Sequence, residues 1–545
     1  MKYLLSFILC ISGYAISTAQ PFTHQDTLRG SVTAERAWWD LTFYDLAIDV
    51  DIANETIHGT NSIYFLVLFS EQMMQIDLQE PLAITQVDYK NQPLTFKREG
   101  NAYHIRFPYP LAAGERDHIV VHYQGKPVKA VRPPWDGGLT WSKDPKGNPF
   151  VATSCQGIGS SIWWPCKDHM YDEPDSMSIR ITTPAALTDV SNGRLRHIDY
   201  LPDGRKTFQW FVSNPINNYG VNMNIAKYAH WNDTLQGEKG ILDLDFYVLQ
   251  DNYEKAKEHF KDAKRTIKAL EYWFGPYPFY EDGYKLVEVP YLGMEHQSSV
   301  TYGNQYQMGY LGHDLSGTGW GLKWDYIIIH ESAHEWWANN VTYKDIADMW
   351  IHESFATYAE ALFVEYYYGP DAAREYIIGY RHDIGNKSPL IGHYDVNDEG
   401  SGDMYPKGAN LLHTLRTWVN DDEKWRSVLR GLQHDFYHQV VTTAQVEEYI
   451  ASHTGLDLKA FFNQYLRDIR IPVLEYQIKG KKLSYRYTNI VDGFKMPVNI
   501  TIDNGEEVRI TPTGTWQELS RASEMKMISI DPNMYIEKNM VEKKK

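Results

Sequence analysis

From about Trp38 apolar and polar residues alternate: Tyr44, Leu46, Ile48, Val50 and Ile52 share one parity, and Ile57 to Val67 resumes the pattern after a turn. Period two marks strands with one buried face. Such strands, separated by Gly/Pro/Asn turns, continue to about Trp231 and predict a β-sandwich-like domain rather than a parallel sheet. Leu242 to Leu249 reads as a further strand, followed by a helix with Asp251 as N-cap candidate and Gly275-Pro276 as its stop. From there to about Ile469 the apolar spacing is helical. After Arg470-Ile471-Pro472 the alternation returns in Leu483, Tyr485 and Tyr487. Asn504-Gly505, between Val498-Ile500-Ile502 and Val508-Ile510, predicts a hairpin. The pattern thus predicts a multidomain α+β chain: an N-terminal β-sandwich-like domain (20–240), a mainly α domain (241–469) and a small C-terminal β-sandwich domain (470–545). Neither internal repeats nor low-complexity runs interrupt it.

Composition narrows the function classes. At 545 residues the chain exceeds one core, and roughly two to four domains are expected. A net charge of −17 argues against nucleic-acid binding, which needs a basic face; Lys543-Lys544-Lys545 reads as a solvated tail. Lys2, the apolar run from Tyr3 to Ile16 and the small residues Ser17-Thr18-Ala19 read as a cleavable signal peptide over 1–19. The run is short for a membrane span, which takes about 20 residues, so a soluble periplasmic or secreted protein is expected. Beyond Cys10 only Cys155 and Cys166 remain, too few for a disulfide framework.

The chemistry sits in the helical block. His330-Glu331-Ser332-Ala333-His334 places two histidines four apart on one helical face, with Cβ atoms roughly 5–6 Å apart, so both imidazoles can reach one metal ion. Glu331 stands beside them as a candidate base. Eighteen residues separate His334 from Glu353, which lies in the first turn of a second helical stretch and completes a His₂Glu set. Three protein ligands leave a fourth position open, as catalytic zinc requires. Asp348 can orient a ligand or cap the Glu353 helix, and the cap is the preferred reading. These residues read as a zinc hydrolase with one Zn²⁺ per chain.

Four separated motifs, between roughly Cys155 and Ala409, resemble the aminopeptidase N and leukotriene hydrolase family of zinc metallopeptidases, the gluzincins. Ser154-Cys155-Gln156-Gly157 followed by Trp164-Pro165-Cys166-Lys167-Asp168 is similar to the family's amine-side element. Gly293-Met294-Glu295-His296 resembles its Gly-Ala-Met-Glu-Asn strand, with Leu292 and Gly293 where Gly and Ala are usual and His296 in place of Asn. The ligand pair of helices is the third motif, with Glu335 standing where the family has a neutral polar residue. Met404-Tyr405-Pro406-Lys407-Gly408 resembles its Tyr-x-Lys-Gly element.

The resemblance implies a thermolysin-like catalytic domain and a zinc aminopeptidase acting on peptides with a free N-terminus. In that reading Glu331 and Tyr405 are catalytic, His330, His334 and Glu353 hold zinc, and Glu295, Gln156, Gly293 and Met294 bind substrate. Tyr358, Tyr380 and Tyr394 are weaker candidates than Tyr405 because they lie outside the element. Relatives often carry a large helical C-terminal domain; the few residues after the second β region imply a more open site here. A thermolysin-type endopeptidase, an epoxide hydrolase suggested by Gln156, and a non-catalytic peptide-binding relative remain as alternatives. The pattern leaves the oligomeric state open.

Overall fold

The computed structural model describes residues 22–503 and 505–541. The predicted signal segment 1–19, the hairpin residue Asn504 and the Lys543-Lys544-Lys545 tail lie outside the described residues. The alternation from Trp38 becomes Trp39–Asp51, which pairs antiparallel with Thr56–Val67 and parallel with Ser176–Pro184 inside an eight-stranded sheet. Tyr44, Leu46, Ile48 and Val50 are all buried, as period two requires. A three-stranded sheet carrying Ile76 and Ile105, and a four-stranded sheet carrying Val151, share one apolar cluster with them. Sheets closing on a common core make this the predicted β-rich layer architecture.

A five-stranded sheet begins the helical region, in the order Tyr228–Gly237, Gly240–Leu249, Tyr284–Glu288, Val300–Tyr302 and Gly293–Met294. Tyr228–Gly237 pairs with Gly240–Leu249 over its whole length, so this sheet starts ahead of position 240. Gly293–Met294 is its edge strand, paired on one side only, with Gly293 opposite Tyr302 and Met294 opposite Thr301. The helix expected from Asp251 is two helices, Tyr253–His259 and Lys261–Phe274, separated at Phe260; the second stops at Gly275, whose φ of 97° suits glycine.

The central helix Trp350–Tyr368 is buried continuously from Trp350 to Val364. An all-round apolar helix belongs inside a bundle rather than on its surface. Tyr326–Ala333 and Pro406–Val419 pack on it. Gly408 makes the second contact: a Cβ there would collide with Ser354 on the central helix. The C-terminal residues form a four-stranded and a three-stranded sheet, including the predicted hairpin Val498–Ile502/Glu506–Ile510. Their Leu474, Val498 and Ile500 join the same apolar cluster as Leu411 and Leu415 of the helical region. Among the described residues no helix is long and apolar enough to cross a membrane.

Candidate metal centre

Asp325 starts the first ligand helix. Its carboxylate caps Tyr326–Ala333 by accepting from the Ile328 amide at 3.2 Å, and it also accepts from Tyr302 (2.8 Å) and from His259 (2.6 Å). The sequence reads as helix through Trp337, but the α-helix ends at Ala333 and the backbone departs from helical geometry at Trp337. That departure has a use: the Trp337 carbonyl accepts a hydrogen bond from His334 Nδ1 at 2.9 Å. His330 Nδ1 donates to Glu360 Oε1 at 2.8 Å, and the other Glu360 oxygen accepts from Tyr376 at 2.6 Å. Both Nδ1 atoms face acceptors, so both carry the proton. Each histidine therefore turns a lone pair at Nε2 toward the same point.

Glu353 completes that point. Its Oε2 lies 3.5 Å from His330 Nε2 and 3.4 Å from His334 Nε2, which are 3.3 Å from each other. A tetrahedral ion with bonds of about 2.0–2.1 Å has ligand–ligand edges of about 3.3–3.4 Å, so the triangle has the size of one small divalent cation. Glu353 Oε2 is buried and has no hydrogen-bond partner among the described residues. The electrostatics agree. Burial pulls the two imidazoles down, but Glu353 and Glu360 outweigh it at His330, and Glu353 and Glu295 at His334, so both pKa values are raised. Surrounding carboxylates demand positive charge here, and the residues fit a metal ion.

The substrate-side candidates converge on the same cleft, a cavity of about 540 Å³ lined by all nine predicted site residues. Oxygen atoms of Glu295 and Glu331 lie within 4.8 Å of each other and of a His334 nitrogen. Burial, opposed by His330 and His334, pushes the Glu331 carboxyl up to about 8. Gly293 fits Glu331 closely: a Cβ there would lie 2.5 Å from Ile327 Cγ2 and 3.2 Å from Glu331 Oε1. Gln156 donates from Nε2 to Glu295 Oε1 at 2.6 Å and to Glu353 Oε1 at 2.8 Å. Its side-chain carbonyl has no partner among the described residues and is left to accept. Tyr405 lies with its ring 6.0 Å from the His330 ring, and its hydroxyl has no partner among the described residues. Burial holds that phenol protonated, well above its ordinary pKa. Of the weaker tyrosines, Tyr380 also lines the cleft, whereas Tyr394 donates to Asp348 and Tyr358 accepts from Trp425.

Some roles differ from the sequence reading. Asp348 is not a helix cap: the Trp350–Tyr368 helix has none, and the Asp348 carboxylate accepts instead from Thr443 (2.6 and 3.0 Å) and Tyr394 (2.6 Å). Buried acidic groups follow available donors, and here these lie 46 and 95 residues further along the chain. His296 faces away from the cleft, donating from Nδ1 to Thr301 at 3.2 Å, and burial holds its pKa down to about 3. Glu335 is fully buried and accepts from the Ser298 amide at 2.8 Å. Cys155 and Cys166 are unpaired thiols.

Sequence reasoning missed Tyr219 and His352. The Tyr343 amide donates to His352 Nε2 (2.9 Å), which leaves the proton on Nδ1 facing the Tyr219 hydroxyl (3.4 Å), and Tyr219 donates to Glu295 Oε1 (3.1 Å). Glu360 was also missed, although it lies seven residues after Glu353, two turns along the same helix face. Trp135, on the cleft rim and 67% exposed, carried no local signal.

Comparison with known proteins supports one family. Residues 258–465, which contain the ligand triangle, Glu331, Glu295 and Tyr405, match the model described as peptidase family M1 domain. The match covers the helical region of the chain. The chain is 20% identical over 518 residues to probable aminopeptidase 2 of Sulfurisphaera tokodaii, covering 90% of this chain and 62% of the relative. It is 26% identical over 373 residues to human aminopeptidase B, covering 64% and 52% respectively. It therefore spans about half to three-fifths of the length of these relatives. Its fold is that of a two-domain M1 zinc metallopeptidase solved with L-tryptophan bound, at a TM-score of 0.65 and 21% identity over 76% of this chain and 91% of the other.

Proposed function

We propose that the protein is a zinc-dependent aminopeptidase that removes one residue at a time from the free N-terminus of peptides. The observation that carries this reading is the closeness of Glu295 to the ligand triangle, within 4.8 Å of His334 and Glu331. An α-ammonium and the carbonyl carbon of its own residue are about 2.5 Å apart across two bonds. An amine held at Glu295 therefore brings the first peptide bond, and no later one, to the centre. The names of the relatives support the same class.

A zinc ion held by His330, His334 and Glu353 would supply Lewis-acid polarisation of the scissile carbonyl and lower the pKa of the attacking water. The chain's residues do the remainder. Glu331 accepts the proton of the attacking water and returns it to the leaving nitrogen. Tyr405 donates its hydroxyl hydrogen to the oxygen that gains charge. Glu295 and the Gln156 carbonyl accept from the substrate ammonium, in charge-assisted hydrogen bonds. The free edge of Gly293–Met294 offers backbone groups on which a substrate can lie as an added strand. The apolar leader with Lys2 and Ser17-Thr18-Ala19 supports export to the periplasm or medium, and the three-part strand–helix–strand order supports three domains.

The test compares free peptides with their N-acetylated forms. Free peptides should be shortened stepwise, acetylated ones should resist, and Glu295→Ala should lose kcat/KM on the free peptides while keeping its zinc. Internal cleavage of acetylated peptides at comparable rates would instead establish an endopeptidase.

A further inference from the structure

The first described helix, His24–Gly30, lies far from the ligand helices in sequence yet packs against the loop that carries Gln156. Arg29 makes the contact. One end of its guanidinium donates to the Gly157 carbonyl at 3.1 Å, and the other to Asp168 Oδ2 at 3.1 Å. Asp168 in turn accepts from the Ser161 amide and hydroxyl at 3.2 and 2.5 Å. The Gly157 carbonyl receives a second donor from the opposite wall, Asn397 Nδ2, at 3.0 Å. Thus the Gly157–Ile158 peptide group, one residue beyond Gln156, is held from two sides.

The fit is close on each side. A Cβ on Gly159 would run into the Arg29–Asp168 pair, and a Cβ on Gly30 would run into the backbone of Val396. His169 Nε2 lies 3.1 Å from the Gly30 carbonyl, and the Phe22 and His393 rings are 5.2 Å apart. The helix therefore sits between the Cys155–Gly159 loop and the 393–400 segment. That segment includes Glu399, which lines the cleft, and leads on to Tyr405.

We infer that the N-terminal helix is a brace across the amine end of the cleft, and that Arg29 is a positioning residue that aims Gln156 at Glu295 and Glu353. Its planar fork can hold two acceptors at fixed separation, which a lysine cannot do. Gln156 must direct its amide nitrogen at two carboxylates to leave its carbonyl for the substrate. Its backbone turns at Gly157, with φ of 75°, and the pinned carbonyl belongs to that turn. Loosening the turn lets the amide rotate and weakens ammonium recognition, while Glu331, Tyr405 and the ligands stay in place. The kinetic part of this inference rests on the aminopeptidase reading; the structural part does not.

The experiment uses the zinc-loaded protein with Arg29→Ala, Arg29→Lys, Asn397→Ala and Gln156→Ala, alone and combined. Arg29→Ala should raise KM for free-amine peptides about tenfold, leave kcat within about threefold and keep the zinc content of the wild type. Arg29→Lys should recover part of the loss. In the Gln156→Ala background the KM effect of Arg29→Ala should shrink below twofold, because the residue it positions is gone. An equal effect in both backgrounds, or an unchanged KM, overturns the inference. Asn397 grips the same carbonyl, so Asn397→Ala should reproduce the KM rise if Arg29→Ala folds poorly; a wild-type KM there also counts against the brace. Hydrogen exchange at the 156–159 amides reads the brace without any activity. Faster exchange in Arg29→Ala supports it, and unchanged exchange overturns it even if the peptidase reading fails separately.

Discussion

At the scale of single residues, three side chains carry separable roles. Glu331 has no ligand duty in the triangle, so Glu331→Gln should keep the metal, as elemental analysis would show. Its kcat should fall about 10²–10⁴-fold, the usual worth of a positioned general base. Near-normal turnover would remove Glu331 from the mechanism. In the proposed mechanism Tyr405 donates to the developing oxyanion, so Tyr405→Phe should lower kcat about 10²–10³-fold with little change in KM. Glu335 tests burial rather than catalysis. Burial pushes its carboxyl up to about 8, against the opposing pull of the Ser298 amide and Lys285. A folded-state pKa raised above the unfolded value of about 4.3 gives stability that is complete below that value and is lost as pH rises through about 8. Glu335→Gln should remove this dependence, so its melting temperature should gain on the wild type between pH 5 and pH 9. A constant difference across that range would show that Glu335 is ionised at no cost.

At the scale of elements, one glycine sets how closely two helices approach. Gly408 lets the Tyr405-bearing helix lie against Ser354, whose hydroxyl donates to the Met404 carbonyl at 2.7 Å. Gly408→Ala inserts a methyl into that contact and should cost about 1–3 kcal/mol, the usual range for overpacking. Because the displaced helix begins beside Tyr405, kcat should fall with the melting temperature. Full activity in the variant would place Tyr405 outside the chemistry. The Tyr-x-Lys-Gly element was legible in the sequence, but the reason for its glycine was not, since Ser354 lies over fifty residues away. The helix break after Ala333 was equally hidden. His334-Glu335-Trp336-Trp337 reads as a continuing helix, and only packing turns the Trp337 carbonyl onto His334.

At the scale of the whole molecule, the ligands come from two helices that belong to one apolar cluster with the C-terminal sheets. A metal ion bound only by the folded arrangement stabilises it by mass action, about 4 kcal/mol when free metal is a thousandfold above Kd. Chelation should therefore lower the melting temperature, and restored zinc should raise it with concentration. His334→Ala should melt at the same temperature with and without chelator. A wild type indifferent to chelator would mean that the triangle holds no ion. The histidine tautomers are set by Glu360 and Trp337, so the site is preformed, and the chelated protein should keep its far-UV circular dichroism.

The sequence by itself determined what local periodicity can encode. Period two marked the outer β regions, the i,i+4 histidines and Glu353 marked the ligands, and the Tyr-x-Lys-Gly element marked Tyr405. Each signal needs only neighbours along one strand or one helix. Tertiary structure decided which groups meet across long separations. Gln156 bridging Glu295 and Glu353, His352 and Tyr219 aligning Glu295, and Asp348 bound to Thr443 and Tyr394 all depend on contacts tens to hundreds of residues apart. A buried polar group must find a partner, and the chain pattern states that need without naming the partner. The packing of sheets and helices around one cleft supplies it.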